Sequence, residues 1–193
     1  MEHWVTECIE LWGMEEMRRI NAKITGKCGL YDEAAGLWAW CVYQVSNKDV
    51  LDIGTAFGAS AILAARVKQQ YGLKGTVYTL DPFTAEGEWQ SSPDIAAENF
   101  QKCGVQVTLN HLPTAYEARP WGAVLIDGDH DEDAVEADWH WYGEKAEIVM
   151  FHDADQSGVR AAADEIIDKM MADDTLFSHF TRNNCTVIRR NNA

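Results

Sequence analysis

Five acids and a histidine crowd residues 127 to 133, inside the stretch LIDGDHDEDAVEAD that runs from Leu125 to Asp138. Carboxylates at this density bind a hard cation, form a solvated turn, or line a reaction site. Asp127, Asp129 and Asp131 occupy the first, third and fifth positions of an EF-hand loop, and Asp138 the twelfth. The sixth position of such a loop needs glycine for its sharp turn, and here it is Glu132; the twelfth is ordinarily a bidentate glutamate. An EF-hand loop also follows a helix, whereas Gly122 to Ile126 is a short apolar run that reads as a buried strand. The spacing therefore weighs against a calcium loop and asks what a strand ending in Asp-Gly-Asp-His is for. Other apolar runs end in chemistry too. Asp81 follows Thr76 to Leu80, and His152-Asp153 follows Glu147 to Phe151. The run Asp49 to Ile53 leads into Gly54-Thr-Ala-Phe-Gly58-Ala-Ser60.

The elements that must carry these residues alternate. Helical patterns cover residues 2 to 20 (with Gly13 as a weak point), 31 to 45, 59 to 70, 93 to 103, 132 to 142 and 159 to 172. Strand patterns cover 49 to 53, 76 to 80, 105 to 109, 123 to 126, 147 to 151, 176 to 180 and 185 to 188. Alternation of this kind gives βαβ units and a mainly parallel sheet. The last two strands have too few residues between them for a crossover and must form an antiparallel hairpin. The expected fold class is α/β: a doubly wound, mainly parallel, seven-stranded Rossmann-like sheet with a C-terminal antiparallel hairpin. Residues 1 to 193 read as one domain, with 1 to 45 as an N-terminal helical cap.

Composition sets the outer limits. The 193 residues, 47% hydrophobic and 24% charged, are enough for one domain with a proper core. A net charge of −15 repels nucleic acid and anionic membrane, so a phosphate-backbone partner is disfavoured. No apolar run is long enough to span a bilayer, and the N-terminus has neither a basic nor an apolar leader region. The five cysteines are irregularly spaced without a CxxC, which reads as reduced thiols in a cytoplasmic setting. Of the eight tryptophans, Trp89, Trp139 and Trp141 read as core or interface rather than as a substrate wall, and the tryptophan-bearing N-terminus as a homodimer contact or a lid.

In open α/β sheets the ligand sits beyond the carboxyl ends of the strands, at the switch point. The turn after the first strand is neither GxGxxG nor a Walker A loop, and residues 54 to 66 contain no lysine. It suits a nucleoside ligand whose only anion is a carboxylate better than it suits a pyrophosphate. Two glycines allow close backbone approach, and the following helix offers free N–H groups. Asp81 is placed to accept hydrogen bonds from a ribose diol.

In this order, VLDIGTAFGAS, VYTLDPF, AVLIDGDH and VMFHDAD resemble a class I S-adenosylmethionine-dependent methyltransferase over roughly Val50 to Arg190. Within that superfamily the chain is most similar to the metal-dependent small-molecule O-methyltransferases of the catechol, caffeoyl-CoA and macrolide-sugar "DGDH" types. The resemblance implies O-methylation of a small hydroxylated acceptor (a phenol, sugar or natural-product intermediate) with S-adenosylmethionine and a divalent cation, Mg²⁺ first. By position, Asp52, Gly54, Ala56, Gly58 and Ser60 would surround the methionine part of the cofactor, and Asp81 would hold the ribose. Asp127 would be a metal ligand, with His152 and Asp153 where the family has an acidic pair. His130 would stand where catechol-type enzymes place a lysine base. The chain departs from the family after the third strand, where Leu112-Pro113-Thr114 replaces the usual adenine contact and Thr114 is the nearest substitute.

Plainer readings stand beside these. Asp129, Asp131, Glu132 and Asp133 read as a solvated turn and the acidic start of a helix, where negative charge is favoured. Asp155 reads as a helix start. A nicotinamide-dependent oxidoreductase would carry GxGxxG and a Tyr-x-x-x-Lys base, and neither is present. A cofactor-binding protein without catalysis is kept open by His152 in an acidic position and by the altered adenine loop.

Overall fold

The computed structural model describes residues 3–27, 29–111, 119–173 and 175–191. Two helices open the chain, α1 (His3–Asn21) and α2 (Asp32–Gln44). Then follow β1 (Val50–Ile53), α3 (Ala59–Tyr71), β2 (Val77–Leu80), α4 (Pro93–Cys103), β3 (Thr108–Asn110) and β4 (Ala123–Ile126). The chain finishes with α5 (Glu132–Asp138), β5 (Ile148–Phe151), α6 (Ser157–Ala172), β6 (Phe177–Arg182) and β7 (Cys185–Arg190). The seven strands form one sheet in the order β3-β2-β1-β4-β5-β7-β6. The first five are parallel, and β7 runs antiparallel between β5 and β6. This is the expected α/β architecture with its closing hairpin.

The sheet is covered on both faces, so β1, β4 and β5 are buried along their whole length. That explains why they read as unbroken apolar runs rather than alternating ones. One face packs against α1, α2, α3 and α4 through Ile9, Met17, Leu37, Trp38, Ile62, Leu63 and Phe100. The other packs against α5 and α6 through Val135, Trp139, Val159, Ile166 and Ile167. Among the described residues no helix is long and apolar enough to cross a membrane.

Helix α1 keeps to the sequence pattern, and three other elements differ from it, each for a local reason. Gly13 does not interrupt α1, because it lies against α2; a Cβ there would come within 2.5 Å of the Ala39 Cβ. The run 105 to 109 is not one strand: Gly104 caps α4 in the left-handed region and the Val105 amide turns back to the Phe100 carbonyl, so only Thr108–Asn110 pairs with β2. The helix expected over 132 to 142 is α-helical only to Asp138 and continues as a π-turn over Trp139–Gly143, with the Glu144 N–H reaching the Trp139 carbonyl. The hairpin strands are longer than their apolar stretches, since Arg189 still pairs with Ile148. Of the tryptophans weighed above, Trp139 is core, while Trp89 and Trp141 are exposed.

Register places the strand ends side by side. Ile53 pairs with Leu80 on one side and Ile126 on the other, and Ile126 pairs with Phe151. The next residues, Asp81, Gly54, Asp127 and His152, therefore leave four adjacent strands along one edge, with neighbours about 4.8 Å apart. The reversal of strand order falls between β1 and β4, at Gly54 and Asp127.

Candidate active site

The turn after β1 is built for close approach. Gly54 has φ +95°, and a Cβ on it would lie 2.0 Å from the Asp127 carbonyl oxygen, so the two loops touch backbone to backbone. Ala56 and Gly58 also have positive φ. No side chain caps α3 at Gly58, which leaves its first-turn N–H groups directed out of the helix. Beneath the turn lies a hydroxyl–carboxylate chain: Thr79 Oγ1 donates to Asp52 Oδ2 at 2.7 Å and sits 2.7 Å from Thr55 Oγ1. Asp52 is completely buried. Burial pushes its carboxyl up to about 7, against the lowering pull of the Thr79 and Ser60 hydroxyls, and the charges of Asp127 and Asp81 push the same way as burial.

Asp81 organises the other side. Its Oδ2 accepts the Ala56 N–H at 2.7 Å and its Oδ1 the Phe83 N–H at 2.5 Å. A carboxylate has about four acceptor positions, so each oxygen retains capacity for a further donor. The Ser91 hydroxyl donates to the Ala56 carbonyl, drawing the 83–92 segment over the turn. Asn99, buried on α4, donates to the Phe57 and Thr25 carbonyls and accepts the Thr25 N–H. It thereby ties the segment after α1 to the glycine turn.

At the β4–β5 end, the ligand atoms of Asp127, His130 and Asp153 lie within 4.8 Å of one another. His130 Nε2 is 3.4 Å from Asp153 Oδ2 and has no hydrogen-bond partner among the described residues, although that atom is buried. His152 is arranged differently. Its side chain is 2% exposed, with Nδ1 2.8 Å from Asp127 Oδ1 and Nε2 3.1 Å from Asn184 Nδ2. Asn184 Nδ2 also donates to Asp153 Oδ1 at 3.0 Å. Burial disfavours the His152 imidazolium, but the hydrogen bond to Asp127 and the charges of Asp127, Asp153 and Asp155 outweigh it and raise the pKa.

The structure thus brings Asp52, Gly54, Ala56, Gly58, Ser60 and Asp81 together around one turn, and Asp127, His130 and Asp153 around one point beside it. His152, read from the sequence as a metal ligand, has both ring nitrogens engaged by Asp127 and Asn184, and His130 takes its place in the convergent set. Thr114 lies outside the described residues. Sequence reasoning missed Asn184, Thr79 and Asn99. The Asn183-Asn184 pair was legible only as a hairpin turn, and nothing in its spacing tells that the turn folds back onto β5. It does so through the Ala154 N–H, which donates to the Asn184 carbonyl at 2.7 Å.

Residues 51–154 match a family model described as a methyltransferase domain. No curated protein matches the chain. Among solved structures, the O-methyltransferase NovP is similar with a TM-score of 0.67 at 13% identity, covering 98% of this chain and 99% of that one. The O-methyltransferase TomG from Streptomyces achromogenes, involved in tomaymycin synthesis and solved with S-adenosylmethionine, is similar with a TM-score of 0.57 at 15% identity, over 100% of this chain and 92% of its own. The S-adenosylhomocysteine-bound methyltransferase PaMTH1 from Podospora anserina is similar with a TM-score of 0.54 at 15% identity, over 92% and 94%.

Proposed function

The chain belongs to the methyltransferase-domain family, and from that premise we propose that it transfers a methyl group from S-adenosylmethionine to the hydroxyl of a small acceptor (a phenol, sugar or natural-product intermediate), assisted by a divalent cation. The observation that carries this reading is the single edge where Asp81, Gly54 and Asp127 emerge from adjacent strands. Structures as unlike in sequence as NovP and TomG, both named O-methyltransferases, support the oxygen acceptor.

The residues present fit both groups. Asp127 and Asp153 provide a carboxylate pair suited to a divalent cation that keeps most of its waters, and the buried Nε2 of His130, without a hydrogen-bond partner among the described residues, stands beside them. Beside it, the glycine turn, the uncapped N-terminus of α3 and Asp81 offer amide donors for a carboxylate and acceptors for a ribose diol. When bound, the cofactor supplies a sulfonium-activated methyl group and the cation acidifies the acceptor hydroxyl.

Gly54, Ala56, Gly58 and Ser60 would enclose the methionine part, with the buried Asp52 supporting their turn from beneath, and Asp81 would hold the ribose. Asp127 and Asp153 seat the cation. His130 would accept the hydroxyl proton at Nε2, a ring nitrogen without a hydrogen-bond partner among the described residues. Most of the rate enhancement asked of such a site is positioning and electrostatics. The segments 22–27 and 83–92 flank the turn and would form the acceptor side.

Calorimetric titration with S-adenosylmethionine, S-adenosylhomocysteine and NADH, each with and without Mg²⁺, tests the reading. The two sulfur nucleosides are expected to bind and NADH not to; binding of NADH alone would overturn the assignment. With an acceptor identified by screening phenols and sugars, excess EDTA is expected to remove most turnover. Undiminished turnover in EDTA would leave the methyl transfer standing and remove the cation from it.

A further inference from the structure

We infer that His152 and Asn184 are positioning residues that together clamp the two carboxylates of the cation seat, His152 acting from behind Asp127 rather than as a ligand. The inference rests on the cation-assisted reading above and assigns to two residues a role that reading does not contain.

The hydrogen bonds decide it. Asn184 Nδ2 carries two protons; one points to Asp153 Oδ1 at 3.0 Å and the other to His152 Nε2 at 3.1 Å. Turning the amide over would set its oxygen against the Asp153 carboxylate, so Asp153 fixes the amide orientation. His152 Nε2 must then accept. In a neutral ring the proton sits on Nδ1, where it donates to Asp127 Oδ1 at 2.8 Å. The four side chains form a chain of donors and acceptors, Asp127–His152–Asn184–Asp153, with every ring nitrogen used. Neither nitrogen of His152 has a lone pair left for a cation.

The backbone locks the same assembly. Asp153 is held at φ +53°, a conformation short polar residues tolerate better than most. Asn184 stands in the two-residue turn between Arg182 and Cys185, which pair across the hairpin, and its carbonyl accepts the Ala154 N–H. The β6–β7 hairpin, which carries none of the residues read from the sequence as functional, is thereby tied to the seat. One oxygen of each carboxylate is occupied, by His152 on Asp127 and by Asn184 on Asp153, and the other oxygen of each stays available to a cation. Such an outer set of hydrogen bonds orients ligands, and its loss typically weakens metal binding roughly 10–100-fold.

Mn²⁺ is the probe, with its affinity read by electron paramagnetic resonance and S-adenosylmethionine affinity read by calorimetry on the same samples. Asn184→Ala and His152→Ala are each expected to weaken Mn²⁺ roughly 10–100-fold, with S-adenosylmethionine affinity changed less than about twofold. His152→Asn, whose amide nitrogen stands in for Nδ1, is expected to recover part of the loss; His152→Gln, whose amide lies at the Nε2 position, is not. Electron spin-echo modulation of Mn²⁺ in the His130→Ala protein is expected to show no directly bound nitrogen. Bound nitrogen that disappears in His130→Ala/His152→Ala would make His152 a ligand and overturn the inference. So would wild-type Mn²⁺ affinity in Asn184→Ala. Failure of S-adenosylmethionine to bind the wild-type chain would instead strike the methyltransferase reading, and failure of Mn²⁺ to bind it would remove seat and clamp together.

Discussion

The replacement Asp52→Asn isolates the energetic cost of a carboxyl sealed under the glycine turn. Asp52 is wholly buried, and its carboxyl stands at about 7 against an ordinary value of 3.8. At 1.36 kcal/mol per pH unit, that difference corresponds to about 4 kcal/mol. The sign follows from proton uptake. Between pH 4 and 7 the native chain holds a proton on Asp52 that the unfolded chain has released, so the contribution of this group to stability is full below pH 4 and is lost as pH rises through 7. Asparagine removes the titration while keeping an oxygen for the Thr79 hydroxyl. Urea unfolding of both proteins from pH 4.5 to 8.5, without cofactor, is the assay. The absolute stability of the variant depends on how its new amide hydrogens are satisfied, at a cost of about 1–3 kcal/mol, but that cost does not vary with pH. The stability of wild type relative to the variant is therefore expected to fall by about 3–4 kcal/mol across the range, mostly between pH 5 and 7. Asp138, raised to about 6 by burial and the Asp129 charge, has the same sign but is common to both proteins and cancels. A difference that stays flat with pH would refute the argument, because it would mean that Asp52 ionises in the folded protein as readily as in the unfolded one.

Two further expectations follow from the same edge of the sheet. Gly54→Ala combines a positive φ with a Cβ 2.0 Å from the Asp127 carbonyl and is expected to cost about 3 kcal/mol or more; Gly72→Ala, also at positive φ but with nothing within 4 Å of its Cβ, should cost only about 1 kcal/mol by the same denaturation measurement. Asp81→Ala removes the anchor of two backbone amides together with the ribose acceptor, and calorimetry should show S-adenosylmethionine affinity lowered roughly 100-fold, whereas unchanged affinity would take Asp81 out of the cofactor site.

The sequence carried the fold wherever burial was two-sided. Four strand runs, Val50–Ile53, Val77–Leu80, Ala123–Ile126 and Ile148–Phe151, are short, largely apolar and followed at once by Gly54, Asp81, Asp127 and His152, because the sheet edge is where the chain meets solvent and ligand. That adjacency makes Asp81, Asp127 and Asp153 readable as a group from the sequence alone. What was not readable is which side chain turns which way. His130 and His152 both follow a strand by a few residues, and residue type alone favours neither as the one left with an open nitrogen. The difference comes from Asn184, some thirty residues further on, whose position is set by strand pairing rather than by local pattern. A one-residue shift of β7 against β5 would carry the Asn183-Asn184 turn away from His152 and turn the alternating side chains of β7 to the opposite face. The register that buries Val187 and Ile188 is thus also the register that delivers an amide to the carboxylates, and core packing at one end of the hairpin fixes the geometry of the site at the other.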